Sequence, residues 1–278
     1  MIRVASSKLW YTGQEEHVID LSVGGGRDMT SVHTEWESIV EEIAQYAENP
    51  FVKRCLGRPH VPSFFVQVLY MMLKSHELPI SRIRRLCTAT ALLQMALDIH
   101  ETVSLDKPKT EEQMRIRQLT VLAGDYYSSQ FYRLLSEQGE VEAVACLAQA
   151  TCRINEAKMR LYALRDDTRT SSSVWLPLIR RIRGELLAAL ADFFHAENRW
   201  DHSWRPLAER LMALDYLVSP RVKETFPWLS DDSVPAVLLE EIQSWLEGMK
   251  LSEERQEWAE AIQRRFAPVL GEPLLREG

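Results

Sequence analysis

Two stretches of the sequence, "LCTATALLQMALDI" (Leu86–Ile99) and "LTVLAGDYYSSQFYRLL" (Leu119–Leu135), are apolar on nearly every helical face and too long for ordinary strands. A helix that is hydrophobic all round belongs at the centre of a bundle, wrapped by more amphipathic neighbours. One such neighbour is "TEWESIVEEIAQYAE", which sets Trp36, Ile39, Val40, Ile43 and Ala47 on one face and glutamates on the other. Further helices are expected at 62–75, 81–105, 111–137, 140–164, 174–196, 203–217, 235–248 and 252–266. Breaks fall at Leu78-Pro79, Lys107-Pro108, Gln138-Gly139, 166–173 and Ser219-Pro220. No segment alternates with period two over a useful length, and no repeat of fixed period occurs. The expectation is an all-α bundle of about ten helices with no sheet.

Residues 1–30 lack periodicity and read as a loose N-terminal tail. Its Gly24-Gly25-Gly26 is no phosphate loop, because no Lys-Ser/Thr follows. Residues 31–220 form the expected bundle. Residues 221–278, richer in charge and carrying Trp228, Trp245 and Trp258, read as a helical cap of the same domain.

Charge and composition exclude several classes. A net charge of -7 argues against a nucleic-acid binder, which needs a basic surface for phosphates. Hydrophobic content of 46% with 26% charged residues is that of a water-soluble globular protein. No apolar run approaches the ~20 residues of a membrane span, and the N-terminus lacks a signal-peptide layout. Cys55, Cys87, Cys146 and Cys152 are scattered, with no C-x-x-C pair. Free thiols and a cytoplasmic location are expected.

Four stretches offer groups for chemistry. In "ALLQMALDIHETVSLD", Gln94, Asp98 and Glu101 share one helical face, and two carboxylates one turn apart can share a divalent cation. Acidic pairs at this spacing are also common on solvated helix faces. In "VLAGDYYSS", Gly124 and Ser128 at i, i+4 allow a neighbouring backbone to approach, and Asp125 reads as a buried carboxylate held by a partner. "CRINEAKMRLY" places Asn155, Glu156 and Lys158 mid-helix. In "LIRRIRGELL", Arg180, Arg181 and Arg183 are candidates for a diphosphate or partner contact through bidentate hydrogen bonds, although such runs more often form a solvated face. His195 and His202 lack zinc-hydrolase spacing and read as structural. No G-x-S-x-G or Cys-His constellation is present.

The ordered set "LDIHETVSL", "VLAGDYYSS" and "RINEAKMRLY" resembles the motif order of trans-prenyl diphosphate synthases. The combination "ALDIHE…RQLTVLAGDYYS…INEAKMRLY" resembles one branch more closely: component I, the small subunit of the two-component heptaprenyl diphosphate synthases of bacilli. The resemblance covers about residues 35–217 and implies an isoprenoid-synthase-like bundle. In that fold the first motif binds Mg²⁺ through aspartates at i, i+1 and i+4. Laid on this chain, it keeps His100 and puts Glu101, Thr102 and Leu105 at the ligand positions, with Asp98 upstream. Thr102 brings at best a weak neutral oxygen and Leu105 none, whereas Mg²⁺ needs hard, mostly anionic oxygens.

The second aspartate-rich motif survives only as Asp215 in "RLMALDYLVSP". "RPHVPSFF" and "DKPKTEEQ" stand where diphosphate-binding basic residues are expected. Gly124, Asp125, Tyr126 and Ser128 become fold and packing markers. The resemblance implies no catalytic residue and no metal in this chain. It implies a heterodimer with a catalytic large subunit that holds the Mg²⁺ and condenses isopentenyl diphosphate with an allylic diphosphate, making the menaquinone side-chain precursor. Residues 81–105 and 111–137 are expected at or beside the subunit contact. Two alternatives stand beside this: an independent terpene-synthase-like enzyme with a diverged metal site built from Asp98, Glu101 and Glu156, or a helical adaptor unconnected with isoprenoids.

Overall fold

A computed structural model describes residues 30–103, 107–164, 170–198, 204–219, 222, 229, 231–248 and 259–266. The described residues are helical apart from connecting turns, and no strand occurs among them. They fall into two compact units, the chain passing from the first to the second between Leu147 and Ala148. The expected tail at 1–30 lies outside the described residues, Thr30 excepted.

The first unit contains α1 (Thr30–Ala47), α2 (Pro50–Leu56), α3 (Ser63–Ser75), α4 (Ile80–Glu101), α5 (Glu111–Ser136) and the first turns of α6 (Val141–Leu164). Its centre is α4, buried without interruption from Leu86 to Leu97 as its all-round apolar composition requires. Burial pushes the Cys87 thiol well up, so it packs there as a neutral group. Helices α1, α3 and α5 surround α4. Arg84 Nη2 donates to Glu42 Oε2 at 2.8 Å, tying α4 to α1. Tyr70 and Lys74 both donate to Glu35, tying α3 to α1. The Tyr70 hydroxyl, against the opposing effect of desolvation, holds the Glu35 carboxyl below its ordinary range.

Helix α2 was not among the expected helices, although Asn49-Pro50 is a start signal. The Asn49 side chain accepts from the Phe51 and Val52 N–H groups, and Pro50 sits where a missing N–H is harmless. The helix expected over 81–105 instead ends at Glu101, where Thr102 caps it. Helix α5 departs from expectation more seriously. It buries Thr120, Ala123, Gly124, Tyr127, Phe131, Leu134 and Leu135 but exposes Met114, Val121, Leu122 and Tyr132. It is a wall of the unit, not a second central helix.

The second unit contains the rest of α6, α7 (Ser172–Asn198), α8 (Trp204–Leu217), α9 (Ser233–Gly248) and a last helical stretch, α10, over 259–266. Helices α7 and α8 form its core pair, and α9 packs on α8. Arg180 of α7 and Arg210 of α8 both reach Glu241 of α9, and Arg265 of α10 reaches Asp215 of α8. Glu185 of α7 is only 2% exposed and is faced by Arg153, Arg181 and Arg205. Among the described residues no helix is long and apolar enough to cross a membrane.

Candidate functional site

The end of α4 and the middle of α5 bring together most of the residues singled out in the sequence. Along one face of α4, Thr90 and Gln94 are buried and Asp98 and Glu101 follow at the half-buried end. Gln94 Nε2 donates to Asp98 Oδ1 at 2.9 Å, so that carboxylate is already oriented by its own helix. Thr102 Oγ1 donates to the Ile99 carbonyl at 2.7 Å, closing the helix end. Leu105, the third ligand position of the degenerate motif, lies outside the described residues.

The chemistry of these donors does not suit the Mg²⁺ cluster of the resembled enzymes. Of the ligand positions described, Glu101 alone carries a carboxylate, and the Thr102 hydroxyl is engaged by backbone. Among the described residues no three His, Cys, Asp or Glu side chains converge as a metal site. Asp215, at the second-motif position, is held by Arg265 at 2.8 Å.

His100 and Gly124 account for one another. Gly124 is buried, and a Cβ there would lie 2.5 Å from His100 Cε1 and Nε2. The close neighbour is thus an imidazole ring, not the backbone expected from the Gly124–Ser128 spacing. Replacing Gly124 by alanine is therefore expected to move the His100 ring outward at little cost. The helix-propensity gain of about 1 kcal/mol offsets the displacement. In the His100→Ala background the same change should stabilise by about 1 kcal/mol. Thermal unfolding of the four proteins measures this, and a large loss in both backgrounds would show that backbone crowds the site.

Asp125 is not the buried carboxylate expected from its apolar neighbours. Its side chain is 63% exposed on the outer face of α5, and His100 Nε2 lies 3.6 Å from Oδ1, beyond a good hydrogen bond. An apolar sequence neighbourhood says nothing about one residue's bearing on the helix; Asp125 points away from Tyr127 and Phe131, which are buried. Tyr126 and Ser128 are half-buried.

The three arginines of α7 diverge. Arg180 Nη2 donates to Glu241 at 2.9 Å, Arg181 lies 3.7 Å from Glu185, and the Arg183 guanidinium lies 4.9 Å from the Tyr216 ring centre. Each already has an internal acidic or aromatic neighbour. Reading the sequence missed two carboxylates, Glu241 and Glu185. Glu241, which receives Arg180, comes from another helix and is not legible beside it. Glu185 stands four residues from Arg181 on α7, but its other partners, Arg153 and Arg205, come from α6 and α8. The one available signal was Glu185 standing alone in the apolar run after Gly184.

Solved structures place this fold. A geranyltranstransferase from Thermotoga maritima superimposes with a TM-score of 0.66 at 11% identity, covering 87% of this chain and 99% of that one. A decaprenyl diphosphate synthase from Rhodobacter capsulatus gives a TM-score of 0.60 at 12% identity, covering 86% and 98%. These likenesses define the class: an all-α isoprenoid-synthase fold, as the sequence resemblance implied.

The family model described as heptaprenyl diphosphate synthase (HEPPP synthase) subunit 1 matches residues 50–225, and the chain belongs to that family. The heptaprenyl diphosphate synthase component 1 of Geobacillus stearothermophilus is 35% identical over 135 residues, which is 49% of this chain and 58% of that protein. The match thus spans little more than half the length of this relative.

Proposed function

We propose that this chain is the non-catalytic subunit of a two-component heptaprenyl diphosphate synthase. A separate catalytic large subunit, with intact aspartate-rich motifs, binds the Mg²⁺ and condenses isopentenyl diphosphate with an allylic diphosphate in the cytoplasm. The product serves as the menaquinone side-chain precursor. The observation that carries this reading is the donor set at the end of α4, where Glu101 and Thr102 occupy ligand positions and the Thr102 hydroxyl is bonded to its own helix. Ionising an allylic diphosphate needs metal and basic groups to stabilise the leaving charge, and this donor set is ill suited to hold that metal.

The test is incubation with farnesyl diphosphate, isopentenyl diphosphate and Mg²⁺, with and without the large subunit. No prenyl product is expected from this chain alone, and long-chain product is expected from the pair. Turnover by this chain alone would sink the proposal in favour of an independent enzyme. A large subunit whose activity is indifferent to this chain would sink it in favour of an adaptor.

A further inference from the structure

The buried stretch of α4 from Leu86 to Leu97 is a mostly apolar run, yet it carries Thr90 and Gln94 one turn apart on one face. Thr90 is 0% exposed and Gln94 3%. Neither the Thr90 hydroxyl nor Gln94 Oε1 has a hydrogen-bonding partner among the described residues. Thr88 shares that state but stands about 160° away round the helix. An amide oxygen or hydroxyl left dry in an apolar core is costly. Buried polar atoms of folded proteins therefore almost always meet a protein group or an ordered water.

Turning the amide over does not satisfy it. Gln94 Nε2 donates to Asp98 Oδ1 at 2.9 Å, and a carboxylate only accepts, so the opposite orientation would set oxygen against oxygen. Oε1 is thus the atom that lacks a donor, and one turn back along the same face stands Thr90. Other threonines spend their hydroxyls on their own helix. Thr120 donates to the Ile116 carbonyl at 2.9 Å, and Thr102 to that of Ile99 at 2.7 Å. The Thr90 hydroxyl makes no such bond and is available. Cβ atoms four residues apart on a helix stand about 5–6 Å from each other. One water closes that span, donating to Gln94 Oε1 and accepting from the Thr90 hydroxyl.

From this we infer that the Thr90–Gln94 face of α4 is a buried water site, closed to hydrocarbon. An apolar ligand laid against it would leave both the hydroxyl and the amide oxygen dry. The water holds the Gln94 amide, and through it the Asp98 carboxylate, in one orientation. Resting on the function proposed above, the growing prenyl chain does not lie along this face. Thr90 and Gln94 then set the stability of this chain and not the length of the product.

A crystal structure of the full chain tests the site directly. An ordered water within about 3 Å of both Thr90 Oγ1 and Gln94 Oε1 is expected. A direct Thr90–Gln94 hydrogen bond, or a dry pair, would overturn the inference. Urea unfolding supplies the second readout. Thr90→Val and Gln94→Met should each lower the folded-to-unfolded ratio about threefold to tenfold, by leaving the other partner under-bonded. The double variant should recover part of that loss, because the two share one water. Stabilisation by both single variants would show orphans with nothing bound, and would overturn it. In the prenyl transfer assay with the large subunit, the double variant, whose face is now apolar, should give product of wild-type length. A longer product would put hydrocarbon on this face and overturn the inference while leaving the subunit function standing. Failure of the wild-type chain to activate the large subunit would instead remove the functional reading, and with it the statement about the prenyl chain, while the water seen in the crystal stands.

Discussion

Replacing Gly184 by alanine is expected to destabilise the chain by about 2 kcal/mol, although alanine is the better helix former. Gly184 is buried in α7, and a Cβ there would lie 2.6 Å from the Glu209 Cα and 3.3 Å from the Ala208 carbonyl oxygen of α8. Carbon atoms settle at about 3.5–4.0 Å, so one helix must shift by about 1 Å. The obstacle is backbone, so no rotamer change relieves it. Overpacking a tight core contact costs about 1–3 kcal/mol, and the alanine propensity gain returns up to about 1.

The actual cost should lie toward the upper end of that range, because Glu209 also accepts a 2.9 Å hydrogen bond from Arg205, which reaches toward Glu185. Moving α8 therefore disturbs packing and ion pairing together. Gly184→Val should be worse again. Differential scanning calorimetry measures the effect, and an alanine variant melting at or above wild type would sink the prediction. Gly124→Ala is the matched comparison: there the obstacle is the end of a side chain that can turn away.

That contrast shows where the sequence is informative. Helix type and the all-α class are legible because period and length are local properties of the chain. The central place of α4 was legible too, since a helix apolar on every face has only one stable environment in water. The same composition misled for α5. Val121, Leu122 and Tyr132 are as apolar as Phe131 and Leu135, yet they are exposed. Composition does not tell which face of such a helix its own fold buries.

The expectation for Asp125 failed in the same sense. Its neighbours in sequence implied burial, while its bearing on the helix points outward. Both glycines are buried within long helices, and nothing local says that one faces an imidazole and the other a backbone. For the same reason the α7 arginines read as a candidate ligand cluster. Glu241, which engages Arg180, lies 61 residues away in sequence. Motif comparison reached further than local chemistry, because the departure at Glu101 and Thr102 is visible only against the pattern it departs from.

The Glu185 cluster should show an asymmetry between its two halves. Arg153 Nε donates to Glu185 Oε1 at 2.6 Å, while the Arg181 and Arg205 guanidinium nitrogens stand off at 3.7 and 3.8 Å. The carboxylate is 2% exposed, whereas the side chain of Arg153 is 37% exposed. Arg153→Met removes the one close donor and leaves a buried negative charge with distant partners. Breaking a buried pair in this way costs about 3–5 kcal/mol; Arg181 and Arg205 can move in, which lowers the expectation to about 2–3.

Glu185→Leu removes the buried charge itself. Its three arginines can then turn toward water, and Arg205 keeps Asp192 at 2.7 Å and Glu209 at 2.9 Å. That change should cost about 1 kcal/mol, because an apolar side chain of similar volume fills the site. The double variant should be more stable than Arg153→Met alone, with a coupling of more than about 1 kcal/mol between neighbouring sites. Removing the more exposed half of the pair is thus more damaging than removing the buried half. Urea unfolding of the three variants measures this order. The reverse order, Glu185→Leu costing more than Arg153→Met, would mean that the carboxylate is needed to hold the arginines in place rather than the arginines to make its burial tolerable.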